Sequence, residues 1–222
     1  ALPAPTDFSP LSYRSPLVLD RRFILVAGSD GALHASDPRD PRGGWKTASG
    51  AAFVAPPVLI AGHVLTARGN GMLTATLIDG GALVRTIALG APLLGAWPTA
   101  GGLAGLTRDT AWTWNGAGDA VRTLLPREAM AGGEGVIVTR DRQVLALQPN
   151  GEWTVLGLAA STVTAKPLRW QGRAVLPCGQ VAQVLGDVSF QVRAHGTFLD
   201  PLLLGDELVL ITSAGEVFVY AP

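Results

Sequence analysis

The apolar positions of this chain fall in short runs separated by turn-forming clusters. Leu17-Val18-Leu19 and Phe23-Ile24-Leu25-Val26 are split by Asp20-Arg21-Arg22. Val58-Leu59-Ile60 and Val64-Leu65-Thr66 are split by Ala61-Gly62-His63, and Leu202-Leu203-Leu204 and Leu208-Val209-Leu210-Ile211 by Gly205-Asp206-Glu207. Such runs are too short for helices, and their Val, Ile and Leu content suits buried strands.

A small turn follows each pair of runs, and it recurs. Asp30-Gly31-Ala32-Leu33-His34-Ala35 is matched by Asn70-Gly71-Met72-Leu73-Thr74-Ala75. Weaker copies begin at Asp109, Asp141, Cys178 and Ala214. The period is about 32–40 residues, the size of known sheet-repeat units. Asp-Gly and Asn-Gly supply the positive φ of a two-residue hairpin. A proline (Pro16, Pro57, Pro98, Pro167, Pro201) precedes most copies and marks strand entry, where its missing N–H costs no ladder bond. The fourth copy lacks one and starts near Met130.

After the turn the pattern predicts a third strand and then a polar loop: Asp37 to Gly44, Asp79-Gly80-Gly81, Asn115 to Gly118, Pro149-Asn150-Gly151 and Gly186-Asp187. A fourth strand follows, led by Trp45, Val84, Val121, Trp153 or Phe190. A lone four-stranded sheet with two apolar faces cannot bury both. Radial stacking buries both and protects the edges. The expected fold is therefore all-β, a six-bladed β-propeller in one domain, with five or seven blades as the alternative. The blades run approximately 13–52, 53–92, 93–129, 130–161, 162–197 and 198–222. The sixth lacks a fourth strand, and residues 1–12 are expected to supply it and cover the free edge.

The first copy reads Gly31-x-Leu33-x-Ala35-x-Asp37, then Gly44-Trp45. This resembles the repeat of pyrroloquinoline-quinone-like propellers, a group that includes quinoprotein dehydrogenases and BamB-type outer-membrane assembly lipoproteins. The second copy keeps Gly71, Leu73 and Ala75, and the fourth keeps Leu145 or Ala146, and Trp153. The resemblance implies a turn at the Gly, close packing at the Ala, and a Trp docked between neighbouring blades. It also implies where the chain departs. Those dehydrogenases commonly carry a vicinal disulfide beside quinone and metal, which one cysteine cannot form. The lipoproteins begin with a lipidated Cys, and this chain begins with Ala1.

Composition narrows the function classes. Seventeen basic and seventeen acidic residues cancel, which argues against nucleic acid and anionic membrane surfaces. Cys178 alone fixes no redox compartment and reads as a bystander thiol. The opening Ala-Leu-Pro-Ala-Pro-Thr resembles a mature end after signal-peptide removal, so a periplasmic or extracellular location is expected. Residues 86–107 carry no charge, but five Gly with Pro92 and Pro98 interrupt them, so no transmembrane segment is expected.

No catalytic set emerges. His34, His63 and His195 are not paired at ligand spacing, so no metal site is predicted. Most carboxylates lie in predicted turns, which hairpin chemistry alone explains, although two could converge as a glycosidase pair. Gly101-Gly102 and Gly132-Gly133 lack the Lys and helix of a phosphate cradle. No nucleophile elbow appears. Trp112 and Trp114 share a strand face, as core or as a sugar platform. No cofactor is expected.

Alternating strands should bring the mid-repeat hairpins and the blade-to-blade loops to one end. That end would carry Arg68, Arg108, Asp109, Arg140, Asp141, Arg142, Lys166 and His195 as a candidate partner-binding face. Asp30, Arg127, Glu128, Arg193 and Asp200 stand nearby. Loops on a rigid scaffold are the usual binding element. The expected function is a non-catalytic scaffold or accessory subunit of an exported or membrane-associated complex, with another protein as partner. Two alternatives stay open: a propeller enzyme, carbohydrate-active or a degenerate quinoprotein, and the ligand-sensing ectodomain of a larger protein.

Overall fold

The two-residue loop, the shortest link between antiparallel strands, sets the geometry of most sheets here. Ala61-Gly62, Glu134-Gly135 and Gln171-Gly172 each place both residues at positive φ, which matches the twist of the strands they join. The computed structural model describes residues 18–19, 22–28, 30–148 and 152–222.

Among these residues every regular element is a strand, and the strands form six antiparallel sheets, each in chain order. The first holds β1 (Val18–Leu19), β2 (Ile24–Ala27), β3 (Leu33–Asp37) and β4 (Asp40–Lys46). The second holds β5 (Val58–Ile60), β6 (His63–Ala67), β7 (Met72–Leu77) and β8 (Leu83–Ala88). The third holds β9 (Gly95–Thr99), β10 (Gly102–Leu106), β11 (Thr110–Trp114) and β12 (Val121–Leu124). The fourth holds β13 (Ala129–Gly133), β14 (Val136–Thr139), β15 (Gln143–Leu147) and β16 (Trp153–Leu158). The fifth holds β17 (Leu168–Trp170), β18 (Arg173–Cys178), β19 (Val181–Leu185) and β20 (Phe190–Arg193). The sixth has three described strands, β21 (Leu202–Leu204), β22 (Glu207–Ile211) and β23 (Val217–Tyr220). The predicted closing strand, residues 1–12, lies outside the described residues, as does Pro16.

Three details differ from the sequence reading. The stretch from Asp37 to Gly44 is mostly strand, because Asp37 Oδ1 accepts the Arg39 N–H and folds a turn at Pro38-Arg39. A register shift between Ala35 and Asp37 absorbs the extra length. The two-residue loops join first and second strands, whereas the Asp30-Gly31 and Asn70-Gly71 hairpins are longer. Pro57, Pro167 and Pro201 do stand immediately before strands, but Pro98 lies inside β9. β9 is an edge strand, where a missing N–H is tolerated.

The chain divides into two compact units. One comprises the described residues of Ala1–Ala104 with Trp112–Arg122, and the other Gly105–Ala111 with Thr123–Pro222. In the first unit, Val64 packs with Leu25 and Leu33 of the first sheet, while its neighbour Leu65 packs with Leu103 and Trp112. Alternation along β6 thus buries both faces of one sheet. In the second unit, Leu176 on β18 packs with Val136 and Val138, while Val175 packs with Leu208 and Leu210. Each such side chain contributes roughly 1.5–3 kcal/mol on burial. The outer strands β8 and β12 stay largely exposed.

Trp45 links two sheets of the first unit. Its indole N–H donates to the Ile78 carbonyl at 2.7 Å, and Phe23 meets the ring edge-on. Gly81 lies under the ring, where an added Cβ would stand 2.6 Å from it. Trp170 plays a similar part in the second unit, donating to the Asp206 carbonyl at 2.8 Å. Trp112 and Trp114 are both buried in the core, so neither is a surface platform.

Candidate functional site

The hairpins between second and third strands meet the loops that lead from one sheet to the next, and backbone hydrogen bonds hold them together. In the first unit Gly50 N–H donates to Asp30 O, and Leu89 N–H to Gly71 O. In the second unit Ala129 N–H donates to Arg108 O, Ala159 N–H to Arg142 O, and Phe198 N–H to Gly179 O. Within each unit, hairpins and linking loops therefore share an end, and the candidate residues sit there.

In the first unit Arg68 is turned inward. Its Nη1 donates to Gly31 O at 2.6 Å and to Ala51 O at 2.9 Å, and its guanidinium lies 4.6 Å from the Phe53 ring centroid. Beside it, Asp30 accepts the Ala32 N–H and pairs with Lys46 at 3.1 Å. Those contacts, the Ala32 N–H foremost, hold the Asp30 carboxyl at about 2. His34 Nε2 is buried with no hydrogen-bond partner among the described residues, 3.7 Å from Asp30 Oδ1.

In the second unit a Thr-Arg-Asp tripeptide appears twice, a signal readable in the sequence. Thr107 Oγ1 donates to Asp109 Oδ1, and Thr139 Oγ1 to Asp141 Oδ1. Both carboxyls are held below their usual range by hydroxyl contacts, Asp109 by Thr110 first and then Thr107, and Asp141 by Thr139. Arg108 grips Glu128 through Nε and Nη2. Arg127 bonds Asp141 Oδ2 at 3.1 Å. Arg142 Nη1 donates to Ala160 O at 3.2 Å. The side chains of Arg140 and Arg193 lie on exposed residues and make no hydrogen bond or ion pair among the described residues.

Lys166 donates its backbone N–H to Asp200 Oδ1 at 2.7 Å. Burial pulls its ammonium below the usual lysine value, against the attraction of Glu134 and Asp200. Burial also raises the Glu134 carboxyl, partly offset by Lys166 and the Arg169 N–H. Glu134 was not picked out by sequence reasoning, because its burial depends on the neighbouring sheet. Glu216 was missed for the same reason. Its carboxylate accepts N–H groups of His195 and Gly196 and the Thr212 hydroxyl, and lies 3.0 Å from His195 Nδ1. The His195 ring and those donors bring it to about 2. Cys178 is buried, with its thiol pushed up by burial.

Chemically, the carboxylates of Asp30, Asp109, Asp141 and Glu216 are lowered and engaged by donors, unsuited to proton transfer near neutrality, whereas burial moves Glu134 and Lys166 in the opposite sense, toward their neutral forms. No group of three or more His, Cys, Asp or Glu among the described residues could hold a metal ion. No helix of the described residues is long and apolar enough to cross a membrane.

The carboxyls of Asp30, Asp187 and Glu216, all near 2, make acid sensitivity predictable. Their folded values lie below the ordinary range of about 4. The stability they contribute is therefore complete above that range and is lost as pH falls from about 4 toward 2. Melting curves from pH 7 to pH 2 should be flat to about pH 5 and then decline, and Glu216→Gln should make the decline shallower.

No family model and no curated protein matches this chain. Solved structures do. BamB from Moraxella catarrhalis superposes with a TM-score of 0.58 at 14% identity, over 94% of this chain and 83% of that one. BBS1N, solved in complex with ARL6DN, gives a TM-score of 0.62 at 14% identity, over 89% of this chain and 74% of that one. At such identities the likeness establishes the fold, a β-propeller, and nothing finer.

Proposed function

We propose that this β-propeller is a non-catalytic scaffold or accessory subunit that binds another protein, in an exported or membrane-associated complex. The observation that carries the reading is the hairpin end of the second unit. There the carboxylates of Asp109, Glu128, Asp141 and Glu216 are engaged internally, while Arg140 and Arg193 stay exposed and unpaired among the described residues. Such an end suits contact rather than turnover. The likeness to BBS1N, whose structure was solved in complex with another protein, supports the same reading.

The test is size-exclusion chromatography with light scattering on the tagged chain, purified from its own cells. Co-elution with a stoichiometric second protein is expected. Elution as a lone monomer, or with a bound metal or quinone visible by absorption, counts against the scaffold and for the enzyme.

The same proposal includes six blades, the last closed by residues 1–12. The sixth sheet has three described strands and leaves Val217 and Val219 exposed on its edge strand β23, an edge that a further strand would cover. Deleting residues 1–12 should lower the melting temperature by about 5 °C, as loss of about 2 kcal/mol does at this chain length. An unchanged melt rejects the closure.

A further inference from the structure

Four hairpins of this chain are built alike, and one of them is anomalous. In each, the fourth residue donates its N–H to the carbonyl of the first: Gly31 to Gly28, Gly71 to Arg68, Gly215 to Thr212, and Arg142 to Thr139, at 2.9–3.0 Å. That donor adopts a left-handed backbone, with φ of 72°, 85°, 83° and 64° respectively. Three of the four place glycine there, as the conformation favours. The fourth places Arg142, whose Cβ is crowded in that region.

The arginine is not needed for the architecture. Its carbonyl receives the Ala159 N–H at 2.8 Å, tying hairpin to linking loop. Gly71 makes the same tie, receiving the Leu89 N–H at 2.9 Å. The one contact that needs the guanidinium, to Ala160 O, is exposed, where a hydrogen bond adds little. A residue held in an unfavourable conformation without architectural need points to a functional demand.

Charge indicates the demand. The tips of the sister hairpins carry Asp30-Gly31, Gly69-Asn70-Gly71 and Ser213-Ala214-Gly215. None carries a cation. The anomalous tip reads Arg140-Asp141-Arg142, and its single carboxylate is already taken by Arg127 and Thr139. Two exposed guanidiniums therefore stand on a rigid turn with no acid left to neutralise them. Guanidinium forks match carboxylates bidentately.

We infer that the 139–143 hairpin grips a carboxylate-rich segment of a partner protein through Arg140 and Arg142, with Arg127 behind them. This rests on the protein-binding reading above and adds the chemistry of the partner. A nucleic acid is the less suited occupant, because the chain as a whole has no basic excess.

The test uses a fluorescein-labelled decaglutamate peptide and fluorescence anisotropy at low salt. The parent should bind it, and R140A/R142G should bind at least tenfold more weakly. R39A/R85A, with the same change in net charge at two exposed positions of the first unit, should bind like the parent. R142G alone should melt no lower than the parent. Absence of binding by the parent, equal binding by R140A/R142G, equal loss in R39A/R85A, tighter binding of a thymidine decanucleotide, or a lower melt for R142G overturns the inference. The chromatography above separates the two levels. If R140A/R142G still co-elutes with its protein partner, the scaffold stands and the hairpin assignment falls. If the parent elutes alone, the scaffold itself falls.

Discussion

Trp112→Ala will lower the melting temperature by roughly 10 °C or more, the largest effect of any single substitution considered for this chain. Trp112 is 2% exposed and packs in one cluster with Leu65, Leu73, Ala96 and Leu103. Truncating a buried aromatic to alanine removes its transfer energy and leaves a cavity, about 3–5 kcal/mol together. For a chain of this length each kcal/mol moves the melt by about 2–4 °C. Trp112→Phe should be milder, because most of the aromatic volume is kept and the cavity left is smaller. The indole N–H is buried without an acceptor among the described residues, so exchanging it for a phenyl ring sacrifices no hydrogen bond and removes an unsatisfied polar group. Thermal denaturation of both variants checks this. A Trp112→Ala protein with an unchanged melt and impaired sugar binding would instead make Trp112 a ligand platform.

How far the sequence reached follows from the range of the interactions involved. Apolar triplets such as Val58-Leu59-Ile60 and Leu202-Leu203-Leu204 are strands at those same residues, because alternation and turn chemistry act locally. The repeat of small turns located all six sheets for the same reason. Trp45 was expected between neighbouring sheets and does bond across to Ile78. The stretch after Asp37 was misjudged because its glycines and prolines suggested a loop. A side-chain bond from Asp37 to the Arg39 N–H instead turns the chain in two residues. The site was less legible. The sequence placed Arg108, Arg127, Glu128 and Asp141 near one end but could not show that they pair with one another. It could not show that Glu134 and Lys166 are partly buried together, since that depends on Gly133 lacking a side chain where Lys166 packs. The anomaly at Arg142 needed backbone angles from four hairpins at once.

Arg68→Ala will destabilise the protein by about 3 kcal/mol. Its guanidinium bridges the Gly31 and Ala51 carbonyls, thirty-seven and seventeen positions away, and stacks on Phe53. Gly50 makes room for it, since an added Cβ there would stand 2.6 Å from Nη1. Hydrogen bonds from a charged donor contribute about 1.5–3 kcal/mol each when partly buried, and the stacked cation about 0.5–1 kcal/mol or more. Water reaching the freed carbonyls offsets part of that sum. Arg68→Lys should recover part of the loss, because an ammonium can donate to both carbonyls as the single Nη1 does but cannot lie flat on the ring. Chemical denaturation measures the loss, which should appear as a lower midpoint with an unchanged slope. If Arg68→Ala keeps its midpoint and loses only partner binding, Arg68 belongs to the contact surface, and the internal bridge contributes nothing that water does not replace.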